Sequence, residues 1–190
     1  VLSRSGSALY RYESKMISKN TAEDVSFTAM QFNKALAAIC DISRNDPENV
    51  IAPFDIQFKS NIFKKSAHGS AGISVRFNSE ETLNQIDGKL KKIISQQKRN
   101  SKIYTIHFEG GEKRPPMEES KNAEAFYQSI RETAKKIDVR IMKEHRWSSA
   151  DICHVPENIS KVDGMGPLGK FLPSGTEQMI RHSLVDRGLL

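Results

Sequence analysis

Between Ala8 and Phe108 the spacing of apolar residues changes from a two-residue to a 3.6-residue period and back twice, spelling strand, helix, strand, strand, helix, strand. Ala8-Leu9-Tyr10-Arg11-Tyr12-Glu13 alternates and sets Tyr10 and Tyr12 on one face. Asn20-Thr21, with Glu23 and Asp24 behind them, reads as a capped, acidic helix start. Phe32, Ala35, Leu36 and Ile39 then stand at i, i+3, i+4 and i+7, a stripe that needs a sheet to cover it. A turn is expected over residues 45–49. Phe54, Ile56 and Phe58 are expected to share one strand face, and Ile73, Val75 and Phe77 another. A second helix opens at Asn78-Ser79-Glu80-Glu81 and aligns Leu83, Ile86, Leu90 and Ile93. Gly88 inside it costs about 1 kcal/mol relative to Ala, which those apolar positions offset. A last strand, Ile103 to Phe108, ends at Gly110-Gly111. This order predicts an α/β chain whose first domain is a ferredoxin-like α+β unit. Its sheet should be four-stranded and largely antiparallel, with two helices on one face.

The stretch Glu109 to Pro116 holds two Gly, two Pro and four charges in eight residues, and marks a boundary. Residues 1–110 are therefore expected to form one domain and 111–190 part of another. In the second part Ala123, Phe126, Tyr127, Ile130 and Ala134 predict a helix, and Val139-Arg140-Ile141-Met142 a short strand. Ser148 to Asp151 should start a short helix or turn, and residues 159–162 form a brief apolar run. A further helix is expected from Ser174-Gly175-Thr176-Glu177, with Met179, Ile180 and Leu184 inward. About two strands cannot close a core alone, so further chain is expected to complete this part.

The charged fraction, 27%, and apolar fraction, 37%, suit a folded, soluble chain. No run of eighteen apolar residues exists, so no span, and no membrane partner, is expected. Val1-Leu2-Ser3-Arg4 lacks a Met, a basic stretch and an apolar run, so no secretory leader is expected, and Leu189-Leu190 sit in an apolar pattern without a cap. Both ends are expected to be cut. The net charge of +6 is spread widely, and Lys89-Leu90-Lys91-Lys92 reads as the wet face of a helix, which makes nucleic acid an unfavoured partner. Cys40 and Cys153 are far apart in apolar contexts and read as reduced, buried side chains of a cytoplasmic protein.

The five histidines show no metal-ligand spacing, and no G-x-S-x-G turn is present. The unusual stretch is Asp163-Gly164-Met165-Gly166-Pro167-Leu168-Gly169. Its glycines let backbone N–H groups approach an anion or a carbonyl, although a plain glycine turn has the same composition.

Ser149-Ala150-Asp151, followed by Val162 to Gly169, and then by Glu177, Ser183-Leu184 and Arg187, resembles the closing section of a zinc metallopeptidase family. That family includes acetylornithine deacetylase, succinyl-diaminopimelate desuccinylase, aminoacylase and the glutamate-releasing carboxypeptidases. Immediately upstream it carries a βαββαβ lid, also its dimerisation domain, and Gly72 to Phe77 followed by Asn78-Ser79-Glu80-Glu81 looks like that lid's Arg-bearing strand and helix start. Asn61-Ile62-Phe63 precedes Arg76 at about the family's distance, whereas Asn49-Val50-Ile51 matches in letters but stands too far upstream.

The resemblance implies a substrate carboxylate on Arg76, an oxyanion donor in Asn61, and a substrate seat of backbone around Gly164, Met165 and Gly166. Asp151, Asp163 and Glu177 are further motif positions. It also implies two zinc ions whose ligands lie in the family's N-terminal half, outside these residues, so that this chain alone is inactive. The substrate would be an N-acyl amino acid or a peptide, and the partner a second copy through the lid. Two departures stand out: no His follows the glycine loop across residues 170–174, and none follows the first strand near residues 18–21. A non-catalytic dimerising relative therefore remains a second reading. A third is an RNA-binding βαββαβ domain, with Tyr10, Tyr12 and Phe77 as its stacking aromatics.

Overall fold

The computed structural model describes residues 1–17, 23–46, 48–97, 104–170 and 175–188. The elements run β1 (Ser3–Arg4), β2 (Gly6–Ile17), α1 (Glu23–Arg44), β3 (Val50–Asn61), β4 (Ser66–Phe77), α2 (Glu80–Gln96), β5 (Tyr104–Arg114), α3 (Lys121–Lys136), β6 (His145–Arg146), a 3-10 turn (Asp151–His154), β7 (Gly169–Lys170), β8 (Gln178–Met179) and α4 (Arg181–Gly188). Two compact units result. One holds Ser5–Pro116 with Trp147–Ser149; the other holds Val1–Arg4, Met117–Arg146 and the chain from Ala150 on.

The first unit is the expected four-stranded sheet, ordered β3-β4-β2-β5 with every neighbouring pair antiparallel. β4 alternates strictly: Ala67, Gly69, Ala71, Ile73, Val75 and Phe77 are buried, while the residues between them are half-exposed. The apolar stripe of α1 (Phe32, Ala35, Leu36 and Ile39) is buried against this face, together with Ile86, Leu90 and Ile94 of α2. Ser79 caps α2 by accepting the Thr82 N–H at 3.2 Å, and Glu80 and Glu81 complement the helix dipole in the first turn. Lys89, Lys91 and Lys92 lie on its wet side.

Side-chain size on β4 is graded. Gly69 and Ala71 leave room that aromatic rings fill from three neighbouring elements. Phe32 lies over Gly69, where a Cβ would come within 2.6 Å of the ring, and stacks on Tyr12 at 5.4 Å and against Phe58 at 5.8 Å. Tyr12 donates a buried hydrogen bond to Gln97 Oε1 at 2.6 Å. Tyr10 stacks on Phe108 at 5.3 Å.

Several expectations are corrected. Tyr10, Tyr12 and Phe77 all face the helices and are buried, so none is offered to an RNA base. Phe54, Ile56 and Phe58 do not share a face. A register shift between Phe54 and Gln57, with Asp55 at φ +48°, turns Phe58 towards the core and leaves Phe54 and Ile56 exposed. β5 does not stop at Gly110-Gly111 but runs to Arg114. Gly110, at φ +133°, passes so close to β2 that a Cβ would stand 2.2 Å from the Leu9 carbonyl oxygen. Cys40 is exposed, because Ile39 and Ile42 take the inward positions of α1, while Cys153 is buried. The helix start at Asn20-Thr21, Pro47 of the following turn, and Ile103 lie outside the described residues.

In the second unit α3 is capped by Ser120, which accepts the Ala123 N–H at 3.1 Å, and buries Ala123, Tyr127 and Ala134. Leu2, Ile141 and Val162 pack with Ala123 and Tyr127. β1 pairs in parallel with β6. Val139 to Met142 joins no ladder among the described residues, and Met142 is exposed; in place of the expected strand the Val139 N–H bonds back to the Ala134 carbonyl at the end of α3. Ser174, the expected helix start, lies outside the described residues; after it the helix begins at Arg181, beyond the β7–β8 ladder, and Met179 and Leu184 are exposed rather than inward. No helix among the described residues is long and apolar enough to cross a membrane.

Two outcomes follow from the core. Phe32→Ala should cost about 3–5 kcal/mol in chemical denaturation, since Gly69 has no side chain with which to fill the gap. Burial, reinforced by Asp87, pushes the Tyr10 hydroxyl up to about 12, and burial raises Tyr12 further. The folded unit holds both rings neutral while the unfolded chain ionises near pH 10. Stability should therefore be full below pH 10 and decline from there towards pH 12, and Tyr10→Phe should flatten the decline.

Candidate functional site

Arg76 sits near the end of β4 at which the chain enters the sheet unit at Ser5 and leaves it at Pro116. Even-numbered β4 residues face away from the helices, so Arg76 shares the open face with Ser7 of β2 and Val50 of β3, its cross-strand partners. Its Nη1 donates to Ser149 Oγ at 3.0 Å, and the guanidinium is half-buried. Five N–H donors held in one plane at a strand end suit a carboxylate, which can take two of them at once.

The residue before Val50 is Asn49, and it is 5% exposed. Its Nδ2 donates to Asp46 Oδ2 at 2.9 Å, its backbone oxygen accepts the Ser43 hydroxyl at 2.9 Å, and its buried Oδ1 has no hydrogen-bond partner among the described residues. Beside it Asn78 Nδ2 reaches the Glu48 carbonyl at 3.2 Å, and the Ser5 hydroxyl donates to Asn78 Oδ1 at 2.8 Å. A buried, one-sided amide next to the cross-strand partner of Arg76 is a polar group with hydrogen-bonding capacity to spare.

Asn61 is not at this end. It closes β3 at the hairpin tip, exposed, where its Oδ1 accepts the Lys64 N–H at 2.8 Å. Its cross-strand partner Ser66 lies ten residues before Arg76 on β4, roughly 33 Å along an extended strand. The Asn49-Val50-Ile51 stretch was legible as letters. What hid its position was the length of the hairpin, twelve residues on each strand, which brings a residue far upstream in sequence alongside Arg76 in register.

The glycine loop belongs to the second unit. Gly164 adopts φ +78°, a left-handed conformation that disfavours a side chain, and Asp163 Oδ1 accepts its N–H. Arg4 Nε pairs with Asp163 Oδ2. Arg187 Nη1 donates to the Gly164 carbonyl at 3.2 Å. Ser183 is buried; its hydroxyl accepts the Leu168 N–H at 2.8 Å and donates to the Ile180 carbonyl at 2.6 Å. The Ser-Leu-x-x-Arg pattern of α4 thus holds the loop at both ends, with Ser183 on Leu168 and Arg187 on Gly164. Gly166 has open space where a Cβ would be, and Met165 is half-buried. The loop borders a cavity of about 680 Å³ that Arg4, Arg140, Arg146 and Arg187 also line, against the carboxylates of Glu144 and Asp163. Asp151 opens the 3-10 turn and Glu177 precedes β8, both exposed and neither lining that cavity.

Among the described residues no group of three or more His, Cys, Asp or Glu side chains stands where it could hold a metal ion. These residues do not fit a zinc pair, and no chemical step through one is derived from them.

No protein-family model matches the sequence, and no curated protein matches it. Solved structures do share the fold. The aminopeptidase PepT from Bacillus cereus superposes with a TM-score of 0.77 at 11% identity, over 100% of this chain and 51% of its own. A tripeptidase from Staphylococcus aureus gives 0.72 at 12% identity, over 100% and 51%. The Bacillus subtilis YxeP protein, described as a dinuclear metal-binding peptidase of the M20 family, gives 0.62 at 12% identity, over 98% and 48%. The chain spans about half the length of these proteins, and its antiparallel sheet with two helices has the fold of the M20 peptidase lid domain.

Ser183→Ala should release the loop from α4. Hydrogen exchange at the Leu168 amide should accelerate about tenfold, the loss expected when a part-buried donor loses its acceptor.

Proposed function

We propose that this chain supplies the lid and the C-terminal section of a metal-dependent hydrolase that cleaves the amide bond of an N-acyl amino acid or peptide bearing a free carboxylate. The observation that carries this reading is the full-length superposition, with a TM-score of 0.77, on an aminopeptidase of which this chain spans 51%. The zinc ions and their ligands belong, in this proposal, to the other half of the protein, where the metal would supply a water of lowered pKa.

Arg76 binds the substrate carboxylate as a bidentate, charge-assisted pair. The donor to the developing oxyanion, the role the resemblance gives to Asn61, is assigned to the second Nδ2 N–H of Asn49, whose first N–H goes to Asp46 and which precedes the cross-strand partner of Arg76. Backbone N–H groups from Gly164 to Gly166 seat the substrate, with Asp163 held by Arg4 and the loop held by Ser183 and Arg187. The protein is a homodimer through an edge of the lid sheet, a contact that covers otherwise unpaired backbone on β3 or β5.

The departures noted in the sequence favour one competitor, a non-catalytic relative that keeps the lid for dimerisation. Metal content by mass spectrometry of the full-length gene product, with hydrolysis of a panel of N-acyl amino acids and short peptides, separates the two. About two zinc per chain are expected, with kcat/KM falling roughly tenfold to a hundredfold in Arg76→Ala. No bound metal and no turnover, in a protein that still dimerises, would make it the non-catalytic relative. Sedimentation at high concentration should give a dimer; a monomer would contradict the edge contact.

A further inference from the structure

At the end of the sheet away from Arg76, the β3–β4 hairpin closes on Asn61-Ile62-Phe63-Lys64-Lys65. Turns are ordinarily built of small polar residues. Here the four-residue turn opens on Ile62, 63% exposed, and carries Phe63, 99% exposed, at its apex beside Lys64. The apex is held in shape: Asn61 Oδ1 accepts the Lys64 N–H at 2.8 Å, and the Ile62 carbonyl accepts the Lys65 N–H at 3.2 Å, with Lys65 at φ +46°. Beneath it Met16, Val25 and Ala67 form a small buried cluster with Phe58 and Tyr104 packed on it, so the tip stands on a packed base. Its apolar side chains are therefore presented at low entropic cost on binding.

The surroundings are basic. Lys15 of β2 and Lys59 of β3 flank His68 of β4 in register, forming one row across three strands on the open face. Lys64 and Lys65 continue it at the apex. Two carboxylates of that face lie further from the tip: Glu13, one row on, is engaged by Arg11 at 2.7 Å and Lys15 at 3.1 Å, and Glu109, two rows on, pairs with His107 at 3.0 Å. Two bulky apolar side chains projecting from a rigid, lysine-bearing tip match a surface that is anionic outside and apolar beneath, which is the interface of a bilayer containing acidic phospholipids. A polyanion such as single-stranded RNA would satisfy the lysines but leave Ile62 without an apolar partner. We propose that the hairpin tip docks this protein reversibly on an anionic membrane surface, Phe63 and Ile62 entering the headgroup region while Lys59 and Lys64 contact lipid phosphates. The contact is peripheral and needs no spanning helix; it is independent of the hydrolase reading.

Co-sedimentation of the intact protein with vesicles tests it. Binding is expected to phosphatidylcholine vesicles containing phosphatidylserine and not to phosphatidylcholine alone. It should weaken at least tenfold in Phe63→Asp, and at least tenfold in Lys59→Glu/Lys64→Glu, with circular dichroism and melting unchanged because all three positions are exposed. Phe63→Trp supplies a second readout, a blue shift of its emission on adding the anionic vesicles. The proposal is overturned by absence of binding to those vesicles, or by binding that Phe63→Asp leaves unchanged. It is also overturned if single-stranded RNA displaces the vesicles without any dependence on Phe63, or if Phe63→Asp turns a dimer into a monomer and so assigns the tip to a second copy of the chain.

Discussion

The Phe32 ring approaches Gly69 of β4 more closely than any side chain there would permit, and the sheet unit is organised around that contact. With Gly69 and Ala71 small, Tyr12 from β2 and Phe58 from β3 turn their rings into the same space, and α1 settles against the sheet at the height its phenylalanine sets. On the other half of β4, Ile73, Val75 and Phe77 supply volume from the sheet itself. One strand thus carries a hollow and a ridge, which tells the covering helices where along the sheet to lie. The bulge at Asp55 belongs to the same arrangement. It moves Phe58 onto the helix side at the level of Gly69 and leaves Phe54 on the other side of the sheet.

A sheet covered on one face keeps its other face for polar work, and the length of the β3–β4 hairpin divides that face into two ends. At one end Arg76, Ser7 and Ser149 form a hydrogen-bonded set next to the buried amide of Asn49. At the other, lysines and an exposed phenylalanine surround the turn. Between them runs a row of small residues, Ser70, Gly72 and Ser74, with the Glu13 carboxylate as a hub for Arg11, Lys15 and, at 3.8 Å, His68. The two ends therefore differ in chemistry: one offers a planar cation fixed at a strand terminus, the other lysine ammonium groups beside an exposed phenylalanine.

In the second unit regular structure is sparse and specific side-chain bonds take its place. The glycine loop is not supported by a ladder on both sides. It is held by the Arg4–Asp163 pair, by the Ser183 hydroxyl and by Arg187, from two separate stretches of chain, β1 and α4. Glycine at position 164 is required by its left-handed backbone, and the carbonyl turned outward by that conformation is the one that Arg187 takes. Such a loop presents backbone groups at fixed positions, which is the property a substrate seat needs.

Periodicity alone was sufficient for the βαββαβ order, for the inward stripe of α1, and for the shared face of Ile73, Val75 and Phe77, because a one-sided core imprints its period directly on the chain. Letters alone were sufficient to single out the Asp163 loop and the Ser183 and Arg187 pattern, although not to say that those two residues clasp the loop. Register was beyond either source. That Asn49 rather than Asn61 stands near Arg76, that Tyr10 and Tyr12 are core rather than display, and that β3 changes face at Asp55 all depend on which residue lies opposite which across strands. Cross-strand pairing is a long-range choice, made by how rings and glycines fill one another's space, and a local pattern carries no record of it. The same reason explains Val139 to Met142: apolar alternation licenses a strand, but a strand exists only where a neighbour supplies the other half of each hydrogen bond.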